Sequence, residues 1–306
     1  MGGFDMSNRV ALALAILAGA LLSVPAQAGR LGQLCKSGDM SACKRLCGMG
    51  YSRACAKARG GGRHRRMMVE LGERTLRQAQ ADGLVATGLT AVFPKSVICP
   101  PVSSPFASRT RYDGSLRAKR ADFGRHGGMD LSLRIGTPIH AIYNGTVINK
   151  RHGNRLIGIE MVVRQSPADT GLKVWTFTTY KHFSRMPNVK VGEKVKRGEV
   201  IGLSGNSGTV GGHFGRRGYP HLHVSAFMNA NGAYSIRHGR AIIRHGHYVD
   251  PLAFYFRRSL DSNAIRKLPA SERKVAIPYV TANGTIVPAG SPAVWPVACQ
   301  SKVAHR

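Results

Sequence analysis

The sequence predicts a mainly β protein, an antiparallel sandwich or barrel preceded by a small disulfide-rich helical region. Three observations carry this. From about Ser96 to Arg258 the chain is built of short β-branched and aromatic runs, among them Thr146-Val147-Ile148, Ile159 to Val163 and Val174 to Tyr180, separated by glycine-rich turn signals. No long period-3.6 pattern interrupts them, so the strands are expected to pair with one another and not across helices. Ahead of them, four cysteines fall in two copies of Cys, two residues, Gly, three residues, Ala, Cys, at Cys35 to Cys43 and Cys47 to Cys55.

Taken in order, the chain opens with Arg9, an apolar run from Val10 to Val24, and Pro25-Ala26-Gln27-Ala28-Gly29. A positive flank, a short apolar core and a small-x-small site read as a secretory signal over 1–28, cleaved after Ala28. The run is shorter than the ~18 residues of a spanning helix, so stable membrane insertion is not expected. The mature protein is therefore expected to be periplasmic or secreted, where an even set of six cysteines forms disulfides. The 45 Lys and Arg against 15 Asp and Glu give a net charge of +30, which calls for a polyanionic partner. Export speaks against nucleic acid and for anionic cell-wall or envelope polymers.

Residues 29–58 form the cysteine-rich region, where the glycine inside each copy would turn the chain back on itself. That favours Cys35–Cys43 and Cys47–Cys55 among three possible connectivities. The spacing resembles the cysteine-paired helix-turn-helix of Sel1-like repeats. Residues 59–95 read as a basic, glycine-rich linker followed by an amphipathic helix over Met67 to Asp82, with Met68, Leu71, Leu76 and Ala79 on one face. Residues 96–258 are the β domain. In the extension 259–306, the runs Ala276 to Val280 and Gly284 to Pro288 pattern as a hairpin and the rest as loop. Cys99 and Cys299 bracket the β domain, and a bond between them would staple the extension across its start.

Two short motifs carry chemistry. In an extended segment His221 and His223 leave one face together, and His126 and Asp130 share parity in the same way. Laid side by side, the two segments bring three or four nitrogen and oxygen ligands to one point, as a tetrahedral zinc requires. The glycines between them, Gly192, Gly198, Gly202, Gly205 and Gly208, read as tight turns and close strand approaches, not as a phosphate loop.

The same stretches resemble the LytM/lysostaphin-type zinc metalloendopeptidases. The resemblance rests on Ser104 to Arg109, His126-x-Gly128-x-Asp130, Gly136-Thr137-Pro138, Asn144-Gly145-Thr146-Val147, Tyr180-Lys181-His182, Val191 to Gly208, Pro220-His221-Leu222-His223 and Val249-Asp250-Pro251. It implies a duplicated-hybrid-motif barrel and an exported enzyme that hydrolyses peptide bonds in peptidoglycan, most readily stem-peptide cross-links. Carried over by position, it implies one Zn2+ held by His126, Asp130 and His223, and catalytic roles for His182 and His221. Two imidazoles and one carboxylate leave a position open for water or substrate, the composition of a catalytic site. With no spare glutamate in either motif, an imidazole must serve as the base.

Between Gly208 and Pro220 the chain is longer than the family's usual link, which makes Arg216, Arg217 and Tyr219 candidate substrate contacts; a solvated basic loop is the competing reading. A Gly- and His-rich insertion over Asn229 to His247 is expected to form a hairpin at Ser235 to Ile243. Two other function classes compete: a non-catalytic LytM-type module that binds the wall or activates an amidase, and a basic antimicrobial or lipid-binding protein. The ordered histidines and aspartate have no purpose in the second.

Overall fold

The computed structural model describes residues 31–35, 40–48, 75–119, 122–153, 156–210 and 215–302 of the 306-residue chain. The chain divides into two compact units at Met68/Val69. The expected signal, the expected Cys47–Cys55 bond and the greater part of the expected linker lie outside the described residues. Among the described residues no helix is long and apolar enough to cross a membrane.

In the first unit, residues 31–35 and Met40–Gly48 are helical, and a disulfide joins Cys35 to Cys43. Ala42, Cys43 and Leu46 are buried around it. With so few apolar residues, the covalent link supplements a core too small to hold two short helices by burial alone.

The second unit is mainly β. Its strands, in chain order, are β1 (Thr90–Val92), β2 (Val97–Ile98), β3 (Val102–Ser104), β4 (Met129–Ser132), β5 (Pro138–His140), β6 (Gly145–His152), β7 (Ile159–Gln165), β8 (Trp175–Lys181) and β9 (Lys194–Val195). They continue as β10 (Val200–Leu203), β11 (His221–Asn229), β12 (Tyr234–Arg237), β13 (Arg240–Ile243), β14 (His247–Val249), β15 (Lys274–Ala276), β16 (Tyr279–Val280), β17 (Ile286–Val287) and β18 (Gln300–Ser301). The main sheet is antiparallel in the order β3-β4-β11-β8-β7-β6-β9, with β14 also paired to β11, and β10 pairs with β5. The architecture is sheet-rich as expected, but no closed barrel forms among the described residues.

The central strands alternate between the two sides of this sheet. Leu131, Met161, Tyr180, Leu222 and Val224 belong to the larger core cluster, together with Phe183, Ile201 and Val249. Tyr180 is fully buried and its hydroxyl accepts from Ile142 N at 2.9 Å, so the aromatic ring is held at both ends. The expected hairpin in the Asn229 to His247 insertion is present as β12 and β13.

The N-terminal flank agrees with the sequence reading where it is described, and the C-terminal flank departs from it. Of the expected Met67 to Asp82 helix, the described part is Leu76–Ala81, capped by Thr75 in a capping box with Gln78. The extension, expected to be largely loop beyond a hairpin, contributes Ile265, Val275, Ile277, Ala293, Trp295 and Val297 to the same core as the sheet. β15 runs parallel to β1, β18 pairs with β2, and a disulfide joins Cys99 to Cys299. The expected hairpin is there, as β16 and β17.

Candidate functional site

Strand register assembles the site. Antiparallel pairing of β4 with β11 places Asp130 directly opposite His223, and His221 opposite Ser132 two residues along on the same face. His126 arrives from the loop before β4, and Gly128 lets it do so. A Cβ on Gly128 would lie 2.2 Å from Val224 O and 2.8 Å from His223 Nε2, so the loop passes closer than any side chain allows.

His182 reaches the same face by breaking the alternation. Lys181 is the cross-strand partner of His223, so the next residue of a regular strand would point away. His182 instead has φ +70°, and both His182 N and Phe183 N donate to Ile159 O. This left-handed kink, costly for a non-glycine residue, sets the His182 ring 4.4 Å from His221 and 6.0 Å from His223, measured between centroids.

The donor atoms of His126, Asp130 and His223 converge. His126 Nε2 lies 3.1 Å from Asp130 Oδ1 and 3.1 Å from His223 Nδ1, and the last two are 2.8 Å apart. Ligands on a tetrahedral zinc with bonds of about 2.1 Å are separated by roughly 3.4 Å, so this triangle needs to open only slightly to accept one. Protonation points the same way. His126 Nδ1 faces Pro105 O at 3.0 Å and must donate to it, which leaves Nε2 of the neutral ring an acceptor facing another acceptor, the carboxylate. A cation between them resolves that conflict. The residues present therefore fit a small divalent metal with nitrogen and oxygen ligands.

The two remaining histidines are oriented identically. His182 Nδ1 donates to Ser207 O and His221 Nδ1 to Tyr219 O, both at 2.7 Å, so each neutral ring presents an unprotonated Nε2. His221 Nε2 lies 3.5 Å from Asp130 Oδ1. Burial lowers the pKa of all three of His182, His221 and His223, the last to about 3, and so keeps the rings neutral at pH 7. Burial pushes the Asp130 carboxyl up, but the interactions with His126, His221 and His223 outweigh it and hold the group well below the ordinary carboxylate range.

Supporting groups that the motifs did not reveal complete the site. Arg117 Nη2 stands 3.6 Å from Asp130 Oδ2 while donating to Ser104 Oγ at 2.7 Å. Nothing singles out this arginine in so basic a sequence. Ser225 Oγ meets His223 Nε2 at 2.8 Å, and continuing the period of two from His221 and His223 by one step would have found it. Ser103 and Ser132 both hydrogen-bond the Tyr219 hydroxyl.

Among the three candidate substrate contacts, Tyr219 is 9% exposed, its ring stacked on Tyr112 at 3.7 Å and on His221 at 4.5 Å. Arg216 and Arg217 are exposed, and no hydrogen bond or ion pair among the described residues joins their side chains to the histidine and aspartate cluster. A cavity of about 360 Å³ is lined by His152, Gly158, Ser207 and Val210 among others, and Ser207 also supplies the carbonyl that orients His182.

Comparison with known proteins matches residues 124–235, which contain all five of these side chains, to Peptidase family M23. The chain is 34% identical over 107 residues to the glycyl-glycine endopeptidase ALE-1 of Staphylococcus capitis, covering 35% of this chain and 26% of that protein. It is 37% identical over 129 residues to the peptidoglycan DD-endopeptidase ShyA of Vibrio cholerae, covering 42% of this chain and 26% of that protein. The alignments thus span about a quarter of the length of these two relatives. Among solved structures, the catalytic domain of lysostaphin from Staphylococcus simulans is 30% identical, with 43% of this chain and 79% of that chain covered and a TM-score of 0.31.

Proposed function

We propose, from the M23 peptidase domain at residues 124–235, that the chain is an exported zinc metalloendopeptidase that hydrolyses peptide bonds in peptidoglycan, stem-peptide cross-links above all. The single observation that carries this reading is the convergence of His126 Nε2, Asp130 Oδ1 and His223 Nδ1 beside two further histidines whose Nε2 atoms are unprotonated. The three named atoms would hold one zinc ion. When bound, that ion supplies a Lewis acid and lowers the pKa of a water to about 7.

The protein's own groups then move protons. His221 Nε2 is the nearer of the two free acceptors to the ligand trio and takes the proton of the attacking water. Its Nδ1–H stays on Tyr219 O, so the ring does not rotate as it gains charge. His182 carries the second role, stabilising the oxyanion or protonating the leaving amine. Because its resting Nε2 is an acceptor, it can donate there only after taking up a proton, while Ser207 O secures Nδ1–H. Arg117 keeps Oδ2 of Asp130 engaged and leaves Oδ1 toward the histidines.

The relatives support the substrate: ALE-1 is a glycyl-glycine endopeptidase and ShyA a peptidoglycan DD-endopeptidase. The net charge of +30 suits association with an anionic wall, and residues 1–28 would direct export to the periplasm or beyond. On this reading, residues 29–58 and 59–95 precede a catalytic region over 96–258, to which the extension 259–306 is tied by the Cys99–Cys299 bond. Digestion of purified peptidoglycan, followed by mass spectrometry, tests the proposal. The expected products carry one new amine and one new carboxylate at a cross-link, and chelation stops their release. Products cut in the glycan, or release indifferent to chelation, would refute it.

A further inference from the structure

The register of the main sheet lines up one row of charged residues that crosses the floor of the site. Arg151 on β6 opposes Glu160 on β7, Glu160 opposes Lys181 on β8, Lys181 opposes His223 on β11, and His223 opposes Asp130 on β4. Directly opposed residues share a face, so all five side chains leave the sheet on the side where His223 and Asp130 meet. The Lys181 backbone stands one strand spacing, about 4.8 Å, from that of His223.

Among the described residues Lys181 forms no ion pair with its neighbours in the row. Glu160, 1% exposed, is its neighbour on the far side; Oε1 is engaged by Arg151 Nε in a close ion pair, and Oε2 is buried without a hydrogen-bond partner. Among the described residues no carboxylate lies within ion-pair distance of Lys181, and Arg151 Nη2 is a further buried donor without a partner. Lys181 is half-buried, and its register opposite His223 puts it on the face of the sheet that carries the cluster. A half-buried cation that forms no ion pair, beside a hydrolytic centre, is an anion-receiving position.

The spacing defines which anion. In a peptide, the carbonyl carbon of a scissile amide and a carboxylate carbon on the α-carbon of the leaving amine are three bonds apart, roughly 3–4 Å. An amide carbonyl at the ligand trio therefore puts that carboxylate within one strand spacing, inside the reach of the lysine stem. We propose that Lys181 is a specificity-determining residue that receives a free carboxylate on the α-carbon of the leaving amine. The inference rests on the hydrolase reading above and narrows its substrates to amides whose amine side ends in a free carboxylate. An amide within a glycine bridge carries none at that position.

Two synthetic cross-linked peptides that differ only there, one a carboxylate and the other its carboxamide, provide the test. The zinc-loaded full chain should cleave the carboxylate form with a kcat/KM about tenfold or more above the carboxamide. Lys181→Met should bring the ratio near one, Lys181→Glu should invert it, and Lys181→Arg should restore the preference. Equal cleavage of both peptides by the unmodified chain, or an undiminished ratio in Lys181→Met, overturns the inference and leaves the hydrolase reading standing. Cleavage of neither peptide by the unmodified chain, with wall fragments also undigested, overturns both.

Discussion

Asp250 opens the turn that closes the sheet, and its replacement by asparagine should change how stability depends on pH. The carboxyl is 5% exposed, and it accepts from Thr87 Oγ1 and from Leu252 N, the latter at 3.0 Å. Burial outweighs these bonds and raises its pKa from 3.8 to about 6. Below pH 3.8 both folded and unfolded chains are protonated and the group contributes nothing. Between 3.8 and about 6 only the unfolded chain releases the proton, so stability falls as pH rises. Above that window the folded protein carries a buried carboxylate at a constant cost of roughly 3 kcal/mol. Asparagine keeps an acceptor for Leu252 N and cannot ionise. Urea unfolding of both proteins from about pH 4 to pH 8 isolates the effect, since the other carboxylates cancel in the difference. The unfolding free energy of Asp250→Asn relative to the parent should rise by roughly 3 kcal/mol across the window and then level off. A difference that is flat, or that falls with pH, would refute the reasoning.

Three other outcomes follow from the same structure. Gly128→Ala should abolish both metal binding and hydrolysis, because its Cβ would meet Val224 O at 2.2 Å; near-normal metal affinity by calorimetry would contradict this. His182→Ala should retain one metal ion per chain while kcat drops about 10²–10⁴-fold, as expected for loss of a proton-transfer group, and parallel metal analysis and kinetics separate the two effects. Replacing Cys99 and Cys299 together by serine opens a covalent loop spanning 200 residues, and the chain-entropy argument puts the loss at about 5 kcal/mol, measurable as a lower urea midpoint.

Much of the site was legible because it obeys a period of two. His221 and His223 share a face by parity alone, whereas the close approach at Gly128 shows only in the fold. His182 shows the limit of that rule. In a regular strand it would face away from its neighbours, and its left-handed φ turns it back, which parity cannot foresee. Arg117 was hidden by composition, being one of many basic residues in a loop whose path only the fold defines. Parts of the C-terminal extension escape a local reading for a related reason: β15 and β18 are two or three residues long and pair with strands nearly 200 positions away, so local pattern carries little of their signal. Trp295, fully buried with its indole N–H on Pro100 O, shows how much of that segment serves the core.

The central claim is that three side chains hold one catalytic metal ion and two others move protons around it. Calorimetric titration of the metal-free chain with zinc tests this most directly. The account predicts one ion per chain, binding lost in His126→Ala, Asp130→Ala and His223→Ala, and binding retained in His182→Ala and His221→Ala. A parent chain that binds no zinc, or a His223→Ala variant that binds it as tightly as the parent, would contradict it.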